Sequence, residues 1–382
     1  MSVMISGRRL APRVVVLILA LGVAPASPQS DAERVALAVD ALTRLENVDL
    51  EANAALKERV LKVLDKARGT ANFVKLVQHF KLKGQNSGLL EVAAAHPAEE
   101  SGVEAMRLVL ASGDTEAAKK VIGGADTAAA IKVAEALGNT GKKEAAALLL
   151  PAVTDSRRDL ALRQQAVRSL IRTSDGAKEL LALAKGDKLS DDLKFTAGSE
   201  LGAVRWPEIQ AEAAKLLPPA QSLNAEPLPP VAELMKRAGD PANGAKIFAR
   251  PSPGCANCHV IKGQGVELGP NLSEIGSKLG KDALYQAILE PSAGISFGFE
   301  TWTLTLKNGD EAYGLIASET AEEIAIRAVG GIVTRFKKAD VASRQQSKLS
   351  IMPAGLQAGM TTQEFVDLVE YLASLKKPTG QP

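Results

Sequence analysis

The stretch "PGCANCHVIKG", residues 253–263, holds the only two cysteines of the 382-residue chain. Three uses of a Cys-x-x-Cys pair compete: a redox dithiol, half of a zinc site, and the two thioether anchors of a c-type haem. His259 follows Cys258 directly and completes Cys-x-x-Cys-His, the haem-attachment signature. In a helical turn Cys255, Cys258 and His259 stand three and four residues apart and share a face. Two thiols then meet a porphyrin edge while the imidazole reaches the iron. Zinc needs four ligands, and the other two histidines, His79 and His96, lie far upstream in helical sequence, where they read as packing or surface residues. A thioredoxin-like dithiol belongs beside a βαβ pattern, and the residues before this motif read as a short helix.

Haem attachment takes place outside the bacterial cytoplasm, so the N-terminus must supply an export signal. Arg8, Arg9 and Arg13 form a basic segment, "VVVLILALGVA" (14–24) an apolar one, and "APA" (24–26) a small-residue cleavage site. Residues 1–26 are thus expected to be a signal peptide cleaved after Ala26, with a retained anchor as the alternative, and the location is periplasmic or otherwise exported. No later segment is long and apolar enough to span a bilayer. The remaining chain suffices for two or three domains. Its charge, 46 basic against 44 acidic residues, gives no electrostatic case for nucleic acid.

From Asp31 to about Leu217 the chain is rich in Ala, Leu, Glu and Lys, with few aromatic residues, and reads as helix. Leu137, Leu170 and Leu201 fall at matching points of "TAAAIKVAEALG", "LALRQQAVRSLI" and "DLKFTAGSELG", with steps of 33 and 31 residues. That period is what stacked helix pairs produce. The stretch 31–217 resembles a HEAT-like α-solenoid, either a docking surface for a partner or a bundle without a binding role. Trp206 reads as a core residue before the helix-starting Pro207. "LPPAQSLNAEPLPPV" (217–231), with five prolines in fifteen residues, cannot continue a helix. A linker is expected over 218–237, followed by a second domain over 238–377.

In that domain Asp240 and Pro241 start a helix, with Phe248 facing the core. Another helix runs from about Lys281 to Glu290. The periodicity then changes to two: "ETWTLTLKNGDEAYGLI" (300–316) turns at Asn308-Gly309, and "EEIAIRAVGGIVTRF" (322–336) at Gly330-Gly331. A four-strand β insertion over about 298–340 is expected. The sixth ligand to iron must come from Met352 or Met360, the only methionines after the haem motif. "TTQE" (361–364) reads as a capping box, with Met360 and Phe365 as its hydrophobic staple. Met352, in the proline-containing loop "LSIMPAGL", has no such structural task and is the expected axial ligand opposite His259. A final helix sets Phe365, Leu368 and Leu372 on one stripe with Tyr371 beside it.

Residues 240–377 resemble the class I-like haem-binding cytochrome c domain that recurs in proteins of Planctomycetes and Verrucomicrobia. The resemblance rests on "CANCH", "GPNL", "ILEPSAGIS", "NGDEAYGLI", "SIMPAGL" and "LVEYLASLK", in that order. It departs from the family at Asn271, where Asp is frequent. It departs from ordinary class I cytochromes in the step of 93 residues from His259 to Met352, which the β insertion accounts for. The resemblance implies that the carbonyl of Pro270 accepts a hydrogen bond from His259 Nδ1, the alternative being an ordinary turn. It also implies one covalently attached haem c, a final helix that crosses the first, and fusion to a helical repeat region. The expected fold is therefore mainly α, a HEAT-like solenoid followed by a cytochrome c domain with a small β insertion. The expected function is transfer of single electrons, not catalysis, with the helical domain docking a redox partner such as a dehydrogenase or a respiratory component. A haem enzyme or a gas or peroxide sensor with an open distal site is the alternative, and a scaffold with incidental haem is a third.

Overall fold

The computed structural model describes residues 30–46, 48–217, 227–250 and 254–377. The expected signal peptide and the first half of the proline-rich stretch, up to residue 226, lie outside the described residues. The order of elements begins with α1 (Asp31–Thr43), α2 (Ala54–Lys66), α3 (Ala71–Phe80), α4 (Asn86–Ala95), α5 (Glu100–Ala111) and α6 (Glu116–Gly123). It continues with α7 (Thr127–Asn139), α8 (Ala145–Thr154), α9 (Leu160–Leu170), α10 (Ser174–Lys185), α11 (Asp191–Gly202) and α12 (Pro207–Leu216). Side-chain caps set several of the starts: Ser30 with Glu33 forms a capping box on α1, and Asp126 accepts from the Ala129 N–H at the start of α7.

One continuous apolar core runs through these helices from Val39 to Leu217. Alternate helices lie side by side, α7 against α9 and α9 against α11. Leu137, Leu170 and Leu201 occupy one each of these three and are all buried. Gly138 lets α7 and α9 approach closely: a Cβ there would stand 2.6 Å from that of Ser169, whose hydroxyl donates to the Ala134 carbonyl at 2.8 Å. Arg163 of α9 is buried and held by Asp192 of α11 at 2.6 Å.

Within the stretch read as linker, Val231–Leu234 forms a short helix, α13, whose Leu234 is fully buried in the second core. Helices α14 (Pro241–Ala249), α15 (Lys281–Leu289) and α16 (Thr362–Ser374) complete that core. Helix α14 packs across α16, and the crossing is tight because Gly244 sits where a Cβ would come within 2.1 Å of the Asp367 carbonyl oxygen. The carboxylate of Asp367 closes the same junction, accepting from the Asp240 N–H at 2.9 Å and from Asn243 at 2.8 Å. The capping box of Thr361 and Glu364 is present at the start of α16.

Between α15 and α16 lies an antiparallel sheet: β1 (Thr301–Leu306), β2 (Glu311–Glu319), β3 (Glu323–Arg327), β4 (Val333–Lys337) and β5 (Val341–Gln346), in the spatial order β4-β3-β2-β1-β5. The sequence predicts four strands; the structure has five. The additional strand, "VASRQQ", is almost wholly exposed and pairs with β1 from Trp302↔Gln346 to Leu306↔Val341. An edge strand held by backbone hydrogen bonds needs no apolar alternation, so periodicity does not reveal it. Both expected turns are present, with positive φ at Gly309, Gly330 and Gly331.

The sheet also joins the two helical parts. The tip of the β1–β2 hairpin puts Asp310 onto Lys142, in the turn after α7, and Glu311 onto Arg205, between α11 and α12, at 2.7 Å. The Arg205 guanidinium lies 4.4 Å from the ring centre of Trp206 and 4.6 Å from that of Tyr313, a stack across the junction. Arg335 of β4 reaches Glu100 of α5 at 2.9 Å. Trp206 is thus half-buried at this junction rather than enclosed in the core.

Candidate functional site

After α14 the backbone makes one tight turn over Cys255–Asn257, with the His259 N–H donating to the Cys255 carbonyl at 3.0 Å. This is the geometry that puts Cys255, Cys258 and His259 on one side. The chain then doubles back: the Leu268 N–H donates to the Cys258 carbonyl at 3.0 Å and the Leu272 N–H to the Val260 carbonyl at 2.9 Å. The return segment carries Gly269 and Pro270 past the imidazole. His259 Nδ1 donates to the Pro270 carbonyl oxygen at 2.8 Å, which leaves Nε2 as the ring nitrogen for another partner. A Cβ on Gly269 would stand 2.5 Å from His259 Cε1, so only glycine lets the strand pass this close to the ring.

These residues wall a cleft of about 220 Å³. Phe248 of α14, Leu284 and Ile288 of α15, Leu368 and Leu372 of α16, and Ile351 line it, together with Cys255, Cys258, His259, Pro270 and Met352. Every one of the sequence-predicted site residues therefore borders the same space. Met360 borders it too and is fully buried, whereas Met352 is half-buried. Among the described residues no carboxylate lines the cleft. Burial pushes the Cys255 thiol up to about 11 and raises that of Cys258, while it lowers the pKa of His259 against the opposing pull of the Pro270 hydrogen bond. The imidazole is thus neutral at pH 7, the form that binds a metal.

The donor set fits haem. Two thiols, a neutral imidazole with one nitrogen engaged, and thioethers within an apolar wall suit a porphyrin iron, and a hydrated cation would find no oxygen cage here. His79 and His96 are engaged elsewhere, on the Leu45 carbonyl at 2.9 Å and on Glu99 at 3.0 Å. Among the described residues there is no cluster of three or more His, Cys, Asp or Glu side chains that could hold a separate metal ion.

A second, larger cavity of about 670 Å³ adjoins Cys258, His259 and Met352 on the side of the helical region. Arg107, Arg172, Glu200, Arg205 and Trp206 contribute to it from that region, and Tyr313 and Ile326 from the sheet. Sequence patterns do not disclose these residues as part of the site. They come from separate helices and reach the haem-attachment turn only through tertiary packing, with no motif linking them to it.

Residues 241–301 match the family model described as cytochrome c. No curated protein matches the chain. The match takes in α14, the Cys-x-x-Cys-His turn, the Pro270 segment and α15, and it ends where the sheet begins. A cytochrome c domain implies covalently attached haem c and haem-based electron transfer. Among the described residues no helix is long and apolar enough to cross a membrane. The chain thus carries a cytochrome c domain preceded by a helical region.

Proposed function

We propose that the protein is an exported c-type cytochrome with a single haem, working as an electron carrier between protein partners. The observation that carries this reading is the position of His259. Its Nδ1 is fixed by the Pro270 carbonyl at 2.8 Å, and its ring borders a carboxylate-free cleft shared with Cys255, Cys258 and Met352. Cys255 and Cys258 would hold the haem as thioethers, and His259 and Met352 would bind its iron. When bound, the haem supplies a one-electron couple at iron.

The chain's own residues then tune that couple. The hydrogen bond from Nδ1 to Pro270 orients the imidazole and raises its basicity. Met352 as the second ligand raises the potential relative to more donating sets. Phe248, Leu284, Ile288 and Leu368 keep water from the iron. With His259 and Met352 both committed to the iron, no side of it would be left for a substrate, which favours a carrier over a catalyst.

The basic, apolar and small-residue segments of 1–26 support export, and haem attachment calls for it. The side-by-side stacking of α7, α9 and α11, with a buried leucine at each repeat position, supports a HEAT-like solenoid over 31–217. The cytochrome domain takes up 238–377. The outward surface of the solenoid is the face for a redox partner such as a dehydrogenase or respiratory component.

The deciding experiment is an absorbance spectrum of protein matured in a haem-attaching periplasm, with haem staining on a denaturing gel. Covalent haem with a sharp low-spin reduced spectrum and a weak far-red Met-to-iron band is the expected result. A high-spin spectrum that shifts with carbon monoxide would replace the carrier with an enzyme or sensor, and absence of haem would remove both.

A further inference from the structure

The larger cavity has a chemical character that electron transfer alone does not explain. Four of its cations are neutralised: Lys142 by Asp310, Arg205 by Glu311, Arg335 by Glu100 at 2.9 Å and Arg107 by Glu104, the last at 3.6 Å. Arg172, in the turn after α9, is different. It forms no ion pair and no side-chain hydrogen bond among the described residues, and the carboxylates that act on it, Glu200 and Glu135, do so from further off and against the like charge of Arg168. It is hemmed in by protein on most sides yet keeps accessible surface, as a side chain does at the wall of a cavity open to water. Partial removal from water lowers its pKa. Glu200, close by on α11, is raised by its own burial, against the pull of Arg172 and Arg168.

The rest of the wall is mainly apolar and aromatic, with Trp206, Tyr313, Ile326 and Met352 among its residues. A volume of about 670 Å³ lies within the range of small-molecule sites. One uncompensated guanidinium beside a carboxyl suits a single negative charge and disfavours a multiply charged ion such as phosphate. We propose that this cavity is a binding site for a small organic monocarboxylate, its anionic end on Arg172 and its apolar body along Trp206, Tyr313 and Ile326. The ligand would lie next to Cys258, one of the two residues that would hold the haem. The site rests on the cytochrome reading only for that neighbour, since Arg172, Glu200 and the apolar wall belong to the fold itself.

Calorimetric titration of the haem-loaded protein at pH 7 with 3-phenylpropionate, acetate and inorganic phosphate tests it. Saturable one-to-one binding of phenylpropionate is expected, at least about tenfold tighter than acetate because of the apolar body. R172Q weakens it by about tenfold or more, as expected for a lost charge-assisted contact. E200Q tightens it. Opposite signs in two neighbouring variants cannot come from general loss of folding. No saturation with phenylpropionate, equal affinity in both variants, or tighter binding of phosphate would each overturn the proposal. The haem spectrum of the same samples keeps this outcome separate from that of the carrier reading: a low-spin His/Met spectrum without carboxylate binding removes the site alone.

Discussion

The helical region and the cytochrome region use close packing for different ends. In the helical region the tight approach of Gly138 to Ser169 serves a continuous apolar core that closes on itself. In the cytochrome region three glycines mark tight junctions, Gly244 on Asp367, Gly276 on Ala373 and Gly269 on His259, and the helices they bring together form the walls of a cleft. One region is complete in its own side chains. The other has a core shaped around a guest.

That difference sets the largest expected effect. An apolar cleft of about 220 Å³ costs roughly 5 kcal/mol by the scaling seen for internal cavities, which is comparable to the whole stability of a small domain. Preventing attachment with Cys255→Ala and Cys258→Ala should therefore loosen α14, α15 and α16 while leaving α3 to α11 intact. Hydrogen exchange read by mass spectrometry separates them: fast exchange confined to residues 240–377 is expected, and equal exchange in both regions would erase the distinction.

The next effect distinguishes two methionines that border one cleft. Met352→Ala is expected to abolish the far-red band and shift the iron toward high spin with little loss of fold. Met360→Ala removes a fully buried side chain at the start of α16 and should cost about 2–5 kcal/mol, with the band retained. Absorbance and thermal melts on both variants check this. The reverse assignment would place the axial ligand at Met360.

A pair of glycine substitutions compares the regions directly. Gly138→Ala forces a Cβ to within 2.7 Å of the Ser169 backbone, and overpacking of that kind costs about 1–3 kcal/mol, partly offset by about 1 kcal/mol of helix propensity. Its measurable consequence is a lower melting temperature alone. Gly269→Ala meets the His259 ring at 2.5 Å, so it should tilt the imidazole and move the reduction potential as well. Potentiometry showing no shift would mean that the Pro270 segment does not hold the ring.

The contrast also explains what could be read from the chain. Cys255, Cys258 and His259 are contiguous, so their chemistry appears as a motif. The Asn308-Gly309 and Gly330-Gly331 turns and the Thr361 capping box are equally local, and each is present. Strand β5 was hidden because an exposed edge strand is defined by its partner's backbone. Arg172, Glu200 and Arg205 were hidden for a related reason: each is an ordinary charged residue on a helical stretch until folding brings it to the cavity wall. The helical period at Leu137, Leu170 and Leu201 indicated that the helices stack but not what their stacked edge would face.

The smallest effect is in the acid response, where one carboxyl in each region acts with opposite sign. Asp367 is buried at the α14–α16 crossing, and burial alone would raise its pKa. Hydrogen bonds from Asn243, the Asp240 N–H and Gln363 outweigh that and hold it below the ordinary 3.8. The unfolded chain thus takes up the proton first, so the stabilisation from Asp367 is complete above about pH 4 and is lost as pH falls through its lowered value. Glu200 is held above the ordinary 4.5 by burial, so folding there favours the protonated form. Its contribution is present below about pH 4.5 and is lost as pH rises through its raised value. Between about pH 5 and pH 3 the cytochrome region should therefore weaken through Asp367 while Glu200 eases the helical region. Denaturant midpoints measured across that range check both signs. D367N should flatten the fall in the cytochrome transition, and E200Q should stabilise the helical transition at pH 7 more than at pH 4. If E200Q were neutral at both pH values, Glu200 would already be solvated by the cavity, and Arg172 would face a site that holds water in preference to an organic anion.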